Sequence, residues 1–202
     1  ITGLVAGMSP MEILTVLGNA FISQRISTLF VLALPAIGIC ERYGLKDKAV
    51  DLIKKIANAT TGRILSLYLA IRVFAAATSL RIGGHIQFIR PLIHPMSRGA
   101  AVAKYGELSE DVEDDIKGLC AGVENFGNFF GQNCFLGASG TLLIVSTLTE
   151  QGVNVMKDGN PVPVDVLGIA MWSIPIAIVS VILGIIYFVI YDRKLEKALG
   201  GK

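Results

Sequence analysis

The residues best suited to bind a ligand lie in a segment interrupted by glycine and proline, residues 81–97. The segment is too apolar for a surface loop, and its glycine pair together with Pro91 and Pro95 predicts breaks in any helix. Its polar side chains recur at i, i+3 and i+7, which places them on one face if the intervening piece is helical. The candidate substrate-binding residues are Gly83, Gly84, His85, Gln87, Arg90 and His94. Arg90 is expected to bind or steer an anion, because a guanidinium can pair bidentately with a carboxylate. The two histidines fit structural hydrogen bonding better than proton transfer.

A second polar segment, residues 122–140, carries amide side chains on one predicted helical face and phenylalanines on another. Such a helix suits a polar cavity on one side and lipid or packed protein on the other. Gly127 and Gly131 form a G-x-x-x-G pair that permits close helix approach, and residues 137–140 predict a break. The candidate substrate-binding residues here are Asn125, Asn128, Gln132 and Ser139. The amides could equally serve as hydrogen-bonding contacts between helices.

Two interrupted hydrophobic segments that carry polar side chains are typical of a secondary transporter, in which the ends of half-helices face the substrate. Helix N-termini carry partial positive charge and free N–H groups, which suits an anion. Amide and unwound carbonyl oxygens suit sodium. The pattern therefore predicts a carrier for a small organic anion, with no cofactor and with Na⁺ or H⁺ as the coupling ion.

The elements that would position these segments are membrane spans. Val166 to Tyr191 contains no charged side chain over 26 residues, and about 20 apolar helical residues suffice to cross a bilayer. Residues 164–191 are therefore predicted as the last span. Hydrophobic residues make up 52% of the chain and charged residues 17%, with a mean hydropathy of +0.62. These values indicate an integral membrane protein.

The rest of the chain predicts an all-α polytopic membrane protein, a single transmembrane domain over residues 1–202 with about five membrane segments, some discontinuous or re-entrant. Ser9 to Glu12 has the pattern of a helix start, with proline at the first helical position. Residues 1–8 fit the tail of an earlier span, so an N-terminal piece is expected to precede them. Residues 26–40 form a short apolar stretch around Pro35, either an extended span or a broken, partly inserted helix. Residues 64–80 are the next predicted span.

Basic residues suggest the orientation. Residues 41–63 predict an amphipathic interfacial helix with six lysines and arginines, and four more follow the last span. The Lys/Arg bias of short loops places both in the cytoplasm, so the C-terminus is expected there and residues 151–163 form an outer loop. The predicted location is a bacterial cytoplasmic (inner) membrane, crossed several times. Whether residues 119–149 cross once or return as a hairpin stays open.

Arg72 lies in the middle of the span at residues 64–80. A central arginine is costly in a bilayer and should face protein or water with a partner, for which Glu41 and Glu124 are both candidates. A structural ion pair is the favoured interpretation, and direct participation in a transport path is the alternative. The acidic run at residues 107–115 is predicted to form the solvated first turns of a surface helix.

Several function classes are disfavoured by the composition. A formal net charge of +2 with dispersed basic residues gives no reason to expect nucleic acid. Three cysteines without C-x-x-C spacing and two histidines without a ligand motif predict neither disulfides nor a metal site. No nucleophile–base pattern is present, so the chain is not expected to be an enzyme. A non-transporting structural subunit of a membrane complex is the main alternative to a carrier.

Five blocks of the sequence together resemble a known family. These blocks are Pro35–Leu45, Ala59–Arg63, Gly83–Met96, Tyr105–Leu108 and Asn125–Gly131. The chain resembles, from about Gly3 to Glu196, an uncharacterised bacterial membrane family assigned as the smaller subunit of a two-subunit 5-oxoproline permease, near the ion-transporter superfamily. The resemblance implies a companion membrane subunit of similar architecture and a small carboxylate substrate. No internal repeat is visible, so the second half of the carrier is expected from that subunit or from another copy of this chain.

Overall fold

A computed structural model describes residues 2–23, 60–80 and 82–200, together with residues 35, 39, 42 and 43. This part of the chain is mostly helical, which confirms the predicted helical class. Its elements are α1 (Thr2–Val5), α2 (Pro10–Ser23), α3 (Thr61–Ala77), a π-helix (His85–Ile93), α4 (His94–Tyr105), α5 (Glu110–Gln132), α6 (Ser139–Glu150), β1 (Asn154–Lys157), β2 (Asn160–Pro163) and α7 (Val166–Leu199). Most of the predicted interfacial helix at 41–63 and of the apolar stretch at 26–40 lies outside the described residues.

Helix α2 begins where the sequence predicts a helix start. The Ser9 backbone N–H donates to Glu12 Oε2 at 2.7 Å, and the Glu12 backbone N–H donates to Ser9 Oγ at 3.3 Å. This reciprocal capping box satisfies two donors that the first turn of a helix leaves unpaired. The large apolar side chains of α2 are nevertheless exposed.

Helix α7 is the one helix of the described residues that is long and apolar enough to cross a membrane. Its most apolar window has a mean hydropathy of 2.6, yet only 17% of that window is buried within the protein. Trp172, for example, is 78% exposed. A core helix of a soluble protein would be covered by its neighbours, so this surface suits association with a membrane. The helix continues past Tyr191 to Leu199, so the end of the predicted span is not a helix end.

Helix α3 is the centre of a bundle, packed between α5 and α7. Gly127 and Gly131 of α5 lie directly against α3, which confirms that the G-x-x-x-G pair permits close approach. A Cβ atom at Gly131 would lie 2.7 Å from the Cβ of Ala76, and one at Gly127 would lie 2.9 Å from Cγ of Arg72. Any larger side chain would therefore push the two helices apart. The buried cluster includes Leu65, Tyr68, Leu69, Phe88, Ile116 and Cys120.

One end of the bundle, here called the charged end, collects the start of α3 and α5 and the end of α4 and α7. Asp192 accepts hydrogen bonds from the backbone N–H of Gly62 at 2.8 Å and from Thr60 Oγ1 at 2.5 Å. These bonds cap α3, which begins at Thr61 and not at the predicted Ile64. The ion pairs at this end are Arg98–Glu113, Lys104–Glu196 and Lys194–Asp115.

Within its described residues, 82–97, the predicted broken segment is interrupted only on its N-terminal side. Gly83 has a φ of 88°, and the π-helix begins at His85. The prediction that the prolines would also break the segment is wrong, because the π-helix passes through Pro91 and continues directly into α4. Pro95 lies in the first turn of α4. Because proline has no backbone N–H, the π-helix lacks one hydrogen bond of its ladder at Pro91.

The acidic run and the amide-rich segment belong to one helix, α5, which has Ser109 at its N-cap. Lys117 pairs with Asp114 on this helix, and that hydrogen bond raises the pKa of the Lys117 ammonium. The chain is not helical at 133–138 and becomes so again at Ser139, so the predicted break exists but begins earlier than residue 137. Helices α5 and α6 each pack on α7.

The predicted loop at 151–163 contains a β-hairpin. Strands β1 and β2 are antiparallel and pair Lys157 with Asn160 across the turn. Asp158 and Gly159 have φ values of 51° and 80°, as a type I′ turn requires at its two central positions. Both strands are largely exposed, so the hairpin adds little to the core.

Candidate functional site

A cavity of about 900 Å³ lies at the end of the bundle away from the charged end, where α3 and α5 both stop. Its wall combines the end of α3, the irregular residues 79, 80, 82 and 83, the first turn of the π-helix, the end of α5 and the connection into α6. The lining residues are Arg72, Ala76, Ser79, Leu80, Ile82, Gly83, Gln87, Asn128, Gln132, Asn133, Phe135, Ala138, Ser139 and Gly140. A cavity of this size can hold a small organic ligand.

Arg72 forms the charged part of the cavity wall. Its side chain is 10% exposed, and its Nε donates to Glu124 Oε2 at 2.8 Å. One terminal nitrogen, Nη2, donates to Asn128 Oδ1 at 2.8 Å. Of the two acidic partners that the sequence offers, Glu124 is the one paired with Arg72 in the structure, and Glu41 lies outside the described residues.

Glu124 lies behind Arg72 and does not line the cavity. Its side chain is 5% exposed, and the same oxygen that pairs with Arg72 also accepts a hydrogen bond from the hydroxyl of Tyr68. Tyr68 and Arg72 are one turn apart on α3, so a single helix face holds this carboxylate. Its other oxygen, Oε1, lies 4.0 Å from where a Cβ of Gly84 would be, next to the start of the π-helix.

Amide side chains supply most of the uncharged polar surface. Asn128, Gln132 and Asn133 approach from the end of α5, and Gln87 approaches from the π-helix. Each amide both donates and accepts hydrogen bonds, so these groups can orient a polar ligand without adding charge. The three amides predicted to share one helical face therefore have different surroundings. Asn128 and Gln132 face the cavity, whereas Asn125 is exposed and its Oδ1 lies 3.1 Å from His85 Nε2.

The N-terminus of α6 completes the wall at Ser139 and Gly140. Its N-cap residue is Ala138, whose side chain has no hydrogen-bonding group. The first N–H groups of a helix have no partner within the helix, and the helix dipole makes this end partly positive. The start of α6 thus adds partial positive charge to the wall that contains the Arg72 guanidinium.

The irregular backbone at the cavity requires particular residues. Ser79 adopts a φ of 59°, a left-handed conformation that is uncommon for a residue with a side chain. Gly83 has a φ of 88°, and a Cβ atom there would lie 2.9 Å from the Cβ of Gln87. Glycine is therefore needed at position 83 to bring Gln87 into the wall.

A family model matches residues 1–196 of the chain, nearly its whole length. The chain belongs to the DUF969 family. That family is described as a protein of unknown function. No curated protein and no solved structure matches the chain. For this member of the DUF969 family, the geometry of the cavity is consequently the main guide to function.

The cavity includes half of the ten substrate-binding candidates. Those that line it are Gly83, Gln87, Asn128, Gln132 and Ser139, and those that do not are Gly84, His85, Arg90, His94 and Asn125. Arg90 is exposed and away from the cavity, so the structure does not place it as the substrate-binding arginine. The expected alignment of Gln87, Arg90 and His94 assumed α-helical spacing, and the wider turn of the π-helix separates these side chains. The Nε2 atom of His94 is buried without a hydrogen-bond partner.

Sequence reasoning missed several contributors to the site. Ser79, Ile82 and Phe135 lie in irregular backbone, where no periodic pattern indicates which way a side chain points. The hydrogen bond from Tyr68 to Glu124 could have been anticipated, because Tyr68 precedes Arg72 by one helical turn. Among the described residues, no group of three or more His, Cys, Asp or Glu side chains could hold a metal ion.

Proposed function

We propose that this chain is a subunit of a secondary active transporter for a small organic anion, and that the anion binds in the cavity beside Arg72. The observation that carries the proposal is a buried guanidinium in a polar cavity formed where two helices are interrupted. Irregular backbone at membrane depth is tolerated only in buried or water-filled places, and transporter sites are built in this way.

The chemistry of the wall favours a carboxylate that also carries an amide. Arg72 and the start of α6 supply positive charge for the carboxylate. Asn128, Gln132 and Gln87 can pair with both the N–H and the C=O of an amide. A substrate such as 5-oxoproline, a carboxylate on a lactam ring, satisfies both requirements. This agrees with the permease resemblance of the sequence.

The depth of Arg72 supports a site near the middle of the membrane. Arg72 lies eleven residues after Thr61, the first residue of α3 at the charged end. At 1.5 Å per helical residue this separation is about 16 Å, close to half of a hydrocarbon core of about 30 Å. In the proposed arrangement the charged end faces the cytoplasm, as the basic residues after Tyr191 suggest, and α7 crosses the bilayer with its C-terminus inside.

The proposed complex lies in the bacterial cytoplasmic membrane and includes a second membrane subunit of similar architecture or another copy of this chain. Carriers of this kind generally use two related halves, and no repeat is visible within this sequence. The exposed apolar surfaces of α2 and α7 supply area for contact with lipid and with that partner.

Uptake of labelled 5-oxoproline tests the proposal. Cells should express the full-length protein with its membrane companion, and each subunit alone should serve as the reference. We expect saturable uptake only when both are present. Gln132→Ala, which removes an amide from the cavity wall, should weaken uptake several-fold. The matched control Gln151→Ala removes an exposed amide beyond α6 and should leave uptake unchanged.

The outcome that rejects the proposal is a complex shown to be assembled that neither takes up nor binds 5-oxoproline or other small carboxylates. The structural-subunit alternative would then be favoured. In that case Gln132→Ala would reduce assembly of the complex rather than its affinity for an anion.

A further inference from the structure

We propose that Glu124 is the coupling site of this carrier, binding one proton each time an anion takes its place beside Arg72. The inference rests on the proposed transport function and assigns the driving ion, which neither the sequence nor the family description supplies.

The arrangement of the pair makes Arg72 the part that a substrate meets first. Arg72 lines the cavity, whereas Glu124 lies behind it at 5% exposure. Of the five N–H groups of the guanidinium, Nε donates to Glu124 and one Nη2 hydrogen donates to Asn128. An incoming carboxylate therefore finds the cation already neutralised by a buried carboxylate on its far side.

Charge balance then links anion binding to protonation. The empty site contains one positive charge on Arg72 and one negative charge on Glu124, and both side chains are largely buried, at 10% and 5% exposure. A bound substrate carboxylate adds a second negative charge to the same guanidinium. Two carboxylates beside one cation favour protonation of one of them, and an unpaired buried charge is costly. A proton on Glu124 restores neutrality.

The surroundings of Glu124 support this role. On α3, Tyr68 and Arg72 contact it directly, and the Tyr68 hydroxyl can keep donating to the carbonyl oxygen of the protonated acid. The next residue, Asn125, bonds His85 of the π-helix, and Cys120 lies one turn earlier on α5. Helix α4 begins at His94, whose Nε2 atom is buried without a hydrogen-bond partner, and Arg98 one turn later pairs with Glu113 at the charged end. On α7, Tyr191 lies beside Asp115 at the same end. No second acid among the described residues shares the site.

The step is balanced without a further reactant. The proton adds to a Glu124 carboxylate oxygen, Arg72 exchanges Glu124 for the substrate carboxylate, and both the proton and the anion leave on the other side. Glu124 then pairs with Arg72 again. One proton and one monovalent anion move together, so no net charge crosses the membrane.

Proteoliposomes containing the complex test the inference with labelled 5-oxoproline. An inward proton gradient of one pH unit should accumulate the anion about tenfold, since the two gradients balance at a one-to-one ratio. A membrane potential alone should accumulate nothing. Glu124→Gln should reduce this accumulation to about onefold, whereas Glu113→Gln, an acid on the same helix at the charged end, should preserve it.

A measurement on the unmodified complex keeps the test independent of the variant's folding. Substrate added to lightly buffered proteoliposomes should make the outer medium alkaline, by one proton for each anion taken up. Uptake that follows a sodium gradient without proton movement would overturn the coupling inference and leave the carrier intact. Absence of uptake under every gradient would instead reject the proposed function.

Discussion

Two arginine–glutamate pairs of the described residues lie in opposite environments. The Arg72–Glu124 pair lies beside the cavity, with side chains 10% and 5% exposed, whereas the Arg98–Glu113 pair at the charged end is 47% and 26% exposed. Both have short nitrogen–oxygen separations, 2.8 Å and 2.5 Å. The nitrogen–oxygen distance therefore does not distinguish the two pairs. Their different burial determines how much stability is lost when one partner is removed.

The largest effect is expected from Arg72→Ala. The change leaves Glu124 buried without its cation and removes the donor to Asn128. Breaking a buried pair from one side costs about 3–5 kcal/mol, so the purified protein should lose much of its thermal stability along with transport. The double variant Arg72→Met with Glu124→Gln leaves no buried charge and should regain most of that stability, but not transport. A double variant no more stable than Arg72→Ala would show that packing, and not charge, is what Arg72 contributes.

Next in size is the contrast between two asparagines of α5. Asn128 bonds Arg72 and faces the cavity, whereas Asn125 is exposed and bonds His85. Asn128→Ala should weaken binding of labelled 5-oxoproline about tenfold, because a lost hydrogen bond from Asn128 to the bound anion costs about 1.5 kcal/mol. Asn125→Ala should change it by less than about twofold. Equal losses from the two changes would contradict the position assigned to the site.

Breaking the Arg98–Glu113 pair at the charged end should affect stability and anion binding far less than breaking the Arg72–Glu124 pair. Arg98→Ala removes a partner of Glu113 that water can replace, and exposed pairs contribute about 0–1 kcal/mol. We expect a small decrease in melting temperature and no change in anion affinity. High salt should reduce the difference from the unmodified protein further, because mobile ions screen exposed charges. A loss comparable with that of Arg72→Ala would remove the distinction between the two ends.

The smallest effect is expected from Arg90→Ala. The sequence favours Arg90 as the substrate-binding arginine, but the structure leaves it exposed and outside the cavity. Binding of labelled 5-oxoproline should stay within about twofold of the unmodified value, since no wall contact is lost. A decrease in affinity as large as that caused by Asn128→Ala would show that Arg90 does contribute to anion binding.

Periodic features of the sequence were predictive, and irregular ones were not. The capping box of α2, the apolar length of α7 and the close approach at Gly127 and Gly131 each follow from residue type and spacing. The choice between Glu41 and Glu124 could not follow from the sequence, because a charge partner depends on which helices become neighbours. The π-helix was unpredictable for a similar reason, since its wider turn around Pro91 has no distinct pattern in residue types.

The tight contact at Gly127 and Gly131 has a mechanical consequence. Because no space remains between α5 and α3 at these glycines, the two helices cannot slide or separate without losing their packing. The two helices should move as one rigid unit, with Arg72 fixed between them. Among the described residues, a hinge that opens the cavity would then lie where these two helices end, in the irregular residues 78–80, 82–84 and 133–138.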